Sequence, residues 1–246
     1  MRNIKLTIEY DGKDFNGWQK QPNKLNIQGT IEQAIERITG EKVDLNASGR
    51  TDAGVHAYGQ VANFKTNSNI PIEKIPIAIN SNIKKSIVIK SAEEVEERFH
   101  SRLNCKRKTY RYVINNSKYG TAIYRNLETH IPQKLNVEKM KQAVKYFEGE
   151  HDFKAFKASG TSSKSSVRTI YKAEIIEKEN ERIYIELTGN GFLYNMVRII
   201  AGTLVEVGLE KIEPEDIKEI IKSKKRENAG KTLPPQGLYL LKVEYD

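Results

Sequence analysis

Short stretches that alternate apolar and polar residues recur along the whole 246-residue chain, and they limit its fold more than any other feature. Ile4 to Tyr10 alternates and stops at Asp11-Gly12, a turn pair. Lys42 to Ala47, Gln60 to Lys65, Ser86 to Ala92, Lys108 to Ile114, Leu127 to Ile131, Val167 to Glu177, Arg182 to Thr188 and Leu238 to Tyr245 also read as extended. Helical spacing appears in Ile27 to Ile38, where Ile27, Ile31, Ala34, Ile35 and Ile38 form a stripe and Gly40 stands as a C-terminal stop. It appears again in Pro71 to Asn82, Val137 to Phe147, Tyr194 to Gly208 and Pro214 to Lys222. Strands outnumber what parallel βαβ units would supply, and several are joined by tight turns. The pattern predicts an α+β fold with a mostly antiparallel mixed sheet flanked by helices. Residues 1–103 and 104–246 repeat the same grammar, so two pseudo-symmetric halves around a central cleft are expected, although no residue-level repeat links them.

Composition narrows the class. Charged residues make up 30% and hydrophobic ones 38%, as in a globular protein with a sizeable core. The longest apolar stretch, Met196 to Val207, contains Arg198 and Glu206 and is too short to span a bilayer. The N-terminus alternates and lacks the apolar region of an export signal, so a cytoplasmic location is expected. A single cysteine, Cys105, excludes an intrachain disulfide and any cysteine-clustered zinc site. His56, His100, His130 and His151 show no ligand spacing, so no metal is expected. The formal charge is +9 and unevenly placed: residues 1–104 carry 15 basic and 13 acidic residues (+2), and residues 105–246 carry 26 and 19 (+7). Such an excess suits a polyanionic partner, and equally a solvated basic surface.

Three stretches could carry chemistry. In Gly49-Arg50-Thr51-Asp52-Ala53-Gly54, two glycines and small neighbours leave room between Asp52 and a ligand. Asp52 is the only acid between Asp44 and Glu73, so the paired carboxylates of ordinary glycosidases are absent locally. The same letters also fit a β-turn with an Asx cap. In Tyr194 to Gly208, apolar residues lie on nearly every side, which predicts a buried helix with Arg198 as its lone cation. A guanidinium there needs an anion such as Asp52, or else snorkels to water at the helix edge. In Cys105 to Val113, strand geometry puts Tyr110 and Tyr112 on one face with Lys106 and Lys108, a pattern suited to stacking on a base and equally to core packing. The Ser/Lys-rich run Lys157 to Ser166 reads as a flexible loop able to order on phosphates.

Taken together, the motifs resemble the tRNA pseudouridine synthase A (TruA) family. The resemblance rests on Tyr10-Asp11-Gly12 with Phe15 and Gly17-Trp18-Gln19, on Gly49 to Ala57, on Phe99 to Arg102, on Arg107 to Tyr112, on Gly149 to Phe153 and on Gly189 to Arg198. It covers nearly the whole chain in order, and GRTDAGVHA is highly specific; Ser101 departs from the more usual Ala. It implies the pseudouridine synthase fold and an isomerase that converts uridines 38, 39 and 40 of the tRNA anticodon arm to pseudouridine, as a homodimer without cofactor. It implies Asp52 as the catalytic carboxylate, Tyr110 against the target base, Arg198 paired with that carboxylate, and Arg50 holding the base flipped out. Two other classes fit parts of the pattern: a non-catalytic RNA-binding module would explain the charge and tyrosines but leave Asp52 and Arg198 without purpose, and a metal-dependent nuclease would need clustered carboxylates that the Asp52 neighbourhood lacks.

Overall fold

The computed structural model describes residues 1–160 and 165–245, and the chain divides into two compact units. The first holds Met1–Lys106 together with the residues from Tyr239 onward; the second is Arg107–Leu238.

In the first unit, β1 (Arg2–Tyr10) lies between β3 (His56–Thr66) and β4 (Ile87–Val95), antiparallel to both. The short β2 (Asn46–Ala47) pairs with β3, and β10 (Leu238–Glu244) joins β3 in parallel, with Tyr239 opposite His56. The alternation read from the sequence is the burial pattern of β1: Ile4, Leu6 and Ile8 are wholly buried. Helix α1 (Ile27–Thr39) buries Ile27, Ile31, Ala34 and Ile35. Its ends are set locally. The Asn26 side chain accepts from the Gly29 N–H, and Gly40 takes the left-handed conformation at φ 74°, its N–H bonding back to Glu36. A 3₁₀ turn at Ile72–Lys74 leads into the short α2 (Ile75–Asn80).

In the second unit, β5 (Arg107–Asn115), β9 (Arg182–Gly189), β8 (Val167–Lys178) and β7 (Gly149–Asp152) are antiparallel neighbours in that order. β6 (Thr129–His130) pairs in parallel with β5. Helix α3 (Val137–Val144) packs on α4 (Met196–Gly208) and β8, α4 also meets β5, and α5 (Asp216–Ser223) lies by β7. Every residue of α4 is buried except Arg198 and Glu206, which are half-buried, as the all-round apolar pattern predicts.

Both units therefore show the expected α+β make-up with mostly antiparallel strands. Four expectations change. Lys42 to Ala47 shrinks to β2, because its first residues face water and find no partner strand. β3 starts at His56 rather than Gln60, since Tyr10 and Tyr239 pair with Ala57 and His56 across long sequence distances. Leu127 to Ile131 is extended only at Thr129–His130. β7 is a strand that Gly149-Glu150-His151-Asp152 does not signal: an edge strand paired only with β8 has no inner face demanding apolar residues.

Candidate active site

The loop Ser48 to Val55 connects β2 to β3. It closes on a turn in which the Val55 N–H reaches the Asp52 carbonyl at 3.1 Å, with Gly54 at φ 78° in the position that favours glycine. The segment after β1, Asp11 to Trp18, clasps this loop. The Trp18 N–H donates to the Thr51 carbonyl at 3.0 Å, and the Gly54 N–H to Phe15 at 3.4 Å. Two glycines make the approach possible. A Cβ on Gly12 would lie 2.0 Å from the Val55 carbonyl oxygen, and one on Gly17, itself at φ 81°, would lie 2.6 Å from that of Thr51.

Side chains from the sheet meet the same loop. The Tyr10 hydroxyl is 2.8 Å from Thr51 Oγ1, and Gln60 Nε2 donates to the Gly49 carbonyl at 3.0 Å. The Ser48 hydroxyl donates to Gln60 Oε1 at 2.7 Å. Burial pushes the Tyr10 phenol up to about 12, against the opposite pull of its bonds with Thr51 and Gln60, so it stays protonated in neutral solution. His56 Nδ1 is 3.1 Å from the Gly12 N–H and 3.0 Å from Asp11 Oδ1. Within this frame Asp52 is half-buried and Arg50 is exposed. A carboxylate on a loop whose backbone is bound on two sides is preorganised for nucleophilic or basic work.

In the second unit, Tyr110 is 8% exposed and meets Phe192 edge-on, ring centroids 5.1 Å apart. Arg198 donates from Nε to the Leu233 carbonyl and from Nη1 to Asn195 Oδ1, each at 2.7 Å. Asn195 holds the left-handed conformation at φ 59° just before α4, and Leu233 returns its own N–H to the Arg198 carbonyl. The segment bearing Leu233 is drawn close because Gly202 has no side chain: a Cβ there would sit 1.9 Å from the Lys231 carbonyl oxygen.

Tyr110 and Tyr112 are both buried, but only Tyr110 keeps a small exposed edge. Tyr112 is wholly buried, with its hydroxyl 2.6 Å from Thr129 Oγ1 and 2.7 Å from the Pro234 carbonyl, so it is a core residue and not a base platform. The two arginines of that strand turn to other rings: Arg107 lies over Tyr171 at 5.1 Å, and Arg111 over Tyr184 at 4.5 Å while donating to Glu186. Lys157 is half-buried, and residues 161–164 of the Ser/Lys-rich run, Lys164 among them, lie outside the described residues. Sequence reasoning missed Thr51, Gln60 and Asn195 as supports; no local signal marks a polar residue that bonds a distant loop. Among the described residues no group of three or more His, Cys, Asp or Glu is placed to hold a metal ion, and no helix is long and apolar enough to cross a membrane.

A family model described as tRNA pseudouridine synthase matches residues 6–104 and 143–246. The tRNA pseudouridine synthase A of Acetivibrio thermocellus is 53% identical over the whole of both chains. Those of Thermoanaerobacter sp. (strain X514) and Caldicellulosiruptor bescii are 52% and 54% identical, again over full length. A solved archaeal box H/ACA Nop10-Cbf5 complex aligns with 91% of this chain and 59% of that one at 12% identity and a TM-score of 0.37, too distant to argue from. The chain belongs to the tRNA pseudouridine synthase A family, a family of isomerases acting on tRNA. Membership displaces both the simple RNA-binding module and the nuclease as readings of the sequence.

Proposed function

We propose that this chain converts uridines 38, 39 and 40 of the tRNA anticodon arm to pseudouridine, in the cytoplasm and as a homodimer. Asp52 is the catalytic carboxylate, Tyr110 stacks against the target base, Arg50 holds that base out of its helix, and Arg198 supplies the positive charge that keeps the carboxylate ionised. The observation that carries the reading is the state of the Asp52 loop: clasped by Phe15 and Trp18, bonded by Tyr10 and Gln60, and carrying a half-buried acid. The family motif, whole in Gly49 to Ala57, falls on that loop and the first two residues of β3.

The reaction breaks the C1′–N1 glycosidic bond, turns the uracil, joins C1′ to C5, and moves the proton from C5 to solvent while N1 gains one. Nothing is oxidised, reduced or hydrolysed, so the protein's tasks are to extrude the base, to ionise one carboxylate and to exclude water. Extrusion costs a few kcal/mol, which stacking on the Tyr110 ring partly offsets. Asp52 either attacks C1′ or removes the 2′ proton; a primary isotope effect with 2′-deuterated uridine appears only for the second. The site preference is tested by mapping pseudouridine in unmodified bulk tRNA before and after treatment. New pseudouridine at 38, 39 and 40 is expected, and modification at any other position with those three untouched contradicts the proposal.

A further inference from the structure

Along β1 the inward positions run Ile4, Leu6, Ile8, all wholly buried, and then Tyr10 at 3% exposure. On β3 the residue opposite Ile8 is Gln60, also wholly buried, and Ala62 and Phe64 follow it inward. Apolar side chains would fill the positions of Tyr10 and Gln60 without the cost of burying a hydroxyl and an amide. Both polar groups instead direct bonds at one loop, although Gln60 Oε1 also accepts from the Val61 N–H and its Nε2 also reaches the Tyr10 hydroxyl at 3.5 Å. Tyr10 bonds Thr51, the residue before Asp52, and Gln60 bonds the Gly49 carbonyl and the Ser48 hydroxyl. Backbone groups of Phe15 and Trp18 hold the same loop through Gly54 and Thr51.

We propose that Tyr10, through the Thr51 hydroxyl, and Gln60, through Ser48 and Gly49, are positioning residues that set the backbone from which the Asp52 carboxylate is aimed. Neither touches the substrate. The proposal rests on the reading of Asp52 as the catalytic acid.

The test uses the full chain and its variants Tyr10→Phe, Thr51→Val, Thr51→Ser, Gln60→Met, the double variant Tyr10→Phe/Thr51→Val, and Asp52→Asn as reference. Tritium release from 5-tritiated uridine in tRNA gives kcat and KM, filter binding gives tRNA affinity, and thermal melting reports the fold. Losing one neutral hydrogen bond that orients the carboxylate should lower kcat about three- to tenfold in Tyr10→Phe, Thr51→Val and Gln60→Met, with tRNA affinity held within about twofold. Thr51→Ser keeps the hydroxyl and should recover most of the rate. The double variant should be no slower than the slower single one, because both changes remove the same bond. Parental kcat in Tyr10→Phe, Thr51→Val and Gln60→Met, with lowered melting temperatures, would show that these bonds hold only the fold and would overturn the proposal. Multiplying losses in the double variant would overturn the shared bond. If Asp52→Asn itself keeps parental kcat, the reading of Asp52 fails and this proposal with it; an inactive Asp52→Asn beside parental Tyr10→Phe, Thr51→Val and Gln60→Met refutes the positioning role alone.

Discussion

The carbonyl oxygen of Val55 fills the space that a side chain on Gly12 would need, 2.0 Å from where its Cβ would stand. The two residues lie 43 positions apart in the sequence, yet this contact seats the turn after β1 against the end of the Asp52 loop. Gly12→Ala must therefore push backbone from backbone, with no flexible side chain to yield. Urea unfolding should show a loss of about 1–3 kcal/mol, the usual cost of forced overpacking, together with reduced turnover. A parental unfolding midpoint would mean that the Asp11-Gly12 turn parts from Val55 at no cost.

Ser101 offers the opposite case. Its side chain is wholly buried and its hydroxyl has no hydrogen-bond partner among the described residues, while its backbone N–H and carbonyl are bonded to Asn63 and Tyr245. Removing an unsatisfied buried hydroxyl should help. Ser101→Ala should raise unfolding stability by about 1 kcal/mol with turnover unchanged. A destabilised variant would reveal a partner for the hydroxyl.

Alkaline solution should unfold the protein through its buried phenols. Burial raises Tyr10 from 10.0 to about 12, and raises Tyr112 and Tyr245 as well. Each group is neutral in the fold, so its contribution is complete below the unfolded value near 10 and is lost as pH climbs through the folded values. The urea midpoint should hold level from about pH 8 to 9.5 and fall steeply above about pH 10. In Tyr10→Phe part of that fall should vanish. A midpoint level up to about pH 12 would contradict the burial of these rings.

Arg198 is held through two different nitrogens, one on Leu233 and one on Asn195. Lysine keeps the charge but offers one ammonium where the guanidinium offers a fork. Arg198→Lys should lower kcat at least about tenfold in single-turnover tritium release, the rate equivalent of losing a charged hydrogen bond. Full turnover would show that charge alone is enough.

Much of this was legible wherever the cause was local. The alternation of Ile4, Leu6 and Ile8, the Gly40 stop of α1 and the apolar wrap of α4 each report their own environment, and the structure follows them. What depends on partners far along the chain was not. β7 is polar because it is an edge, and β3 gains its first turn of pairing from Tyr10 and Tyr239. Tyr110 and Tyr112 look alike in sequence, and only the bonds of the Tyr112 hydroxyl to Thr129 and Pro234 mark it as core. At the candidate site, the isolation of Asp52 between glycines was visible, but the clasp by Gly12 and Gly17 and the bonds from Tyr10 and Gln60 join segments that no local pattern connects.

If the single carboxylate of Asp52 does the chemistry, Asp52→Asn must abolish it, because the amide nearly keeps the shape and removes the charge. Tritium release from 5-tritiated uridine in tRNA, measured at saturating enzyme beside a filter-binding titration, separates chemistry from binding. Release should be indistinguishable from the no-enzyme control while tRNA affinity stays close to parental. Release within about tenfold of the parent would contradict it, since a loss that small, about 1.4 kcal/mol, is less than a missing catalytic carboxylate must cost.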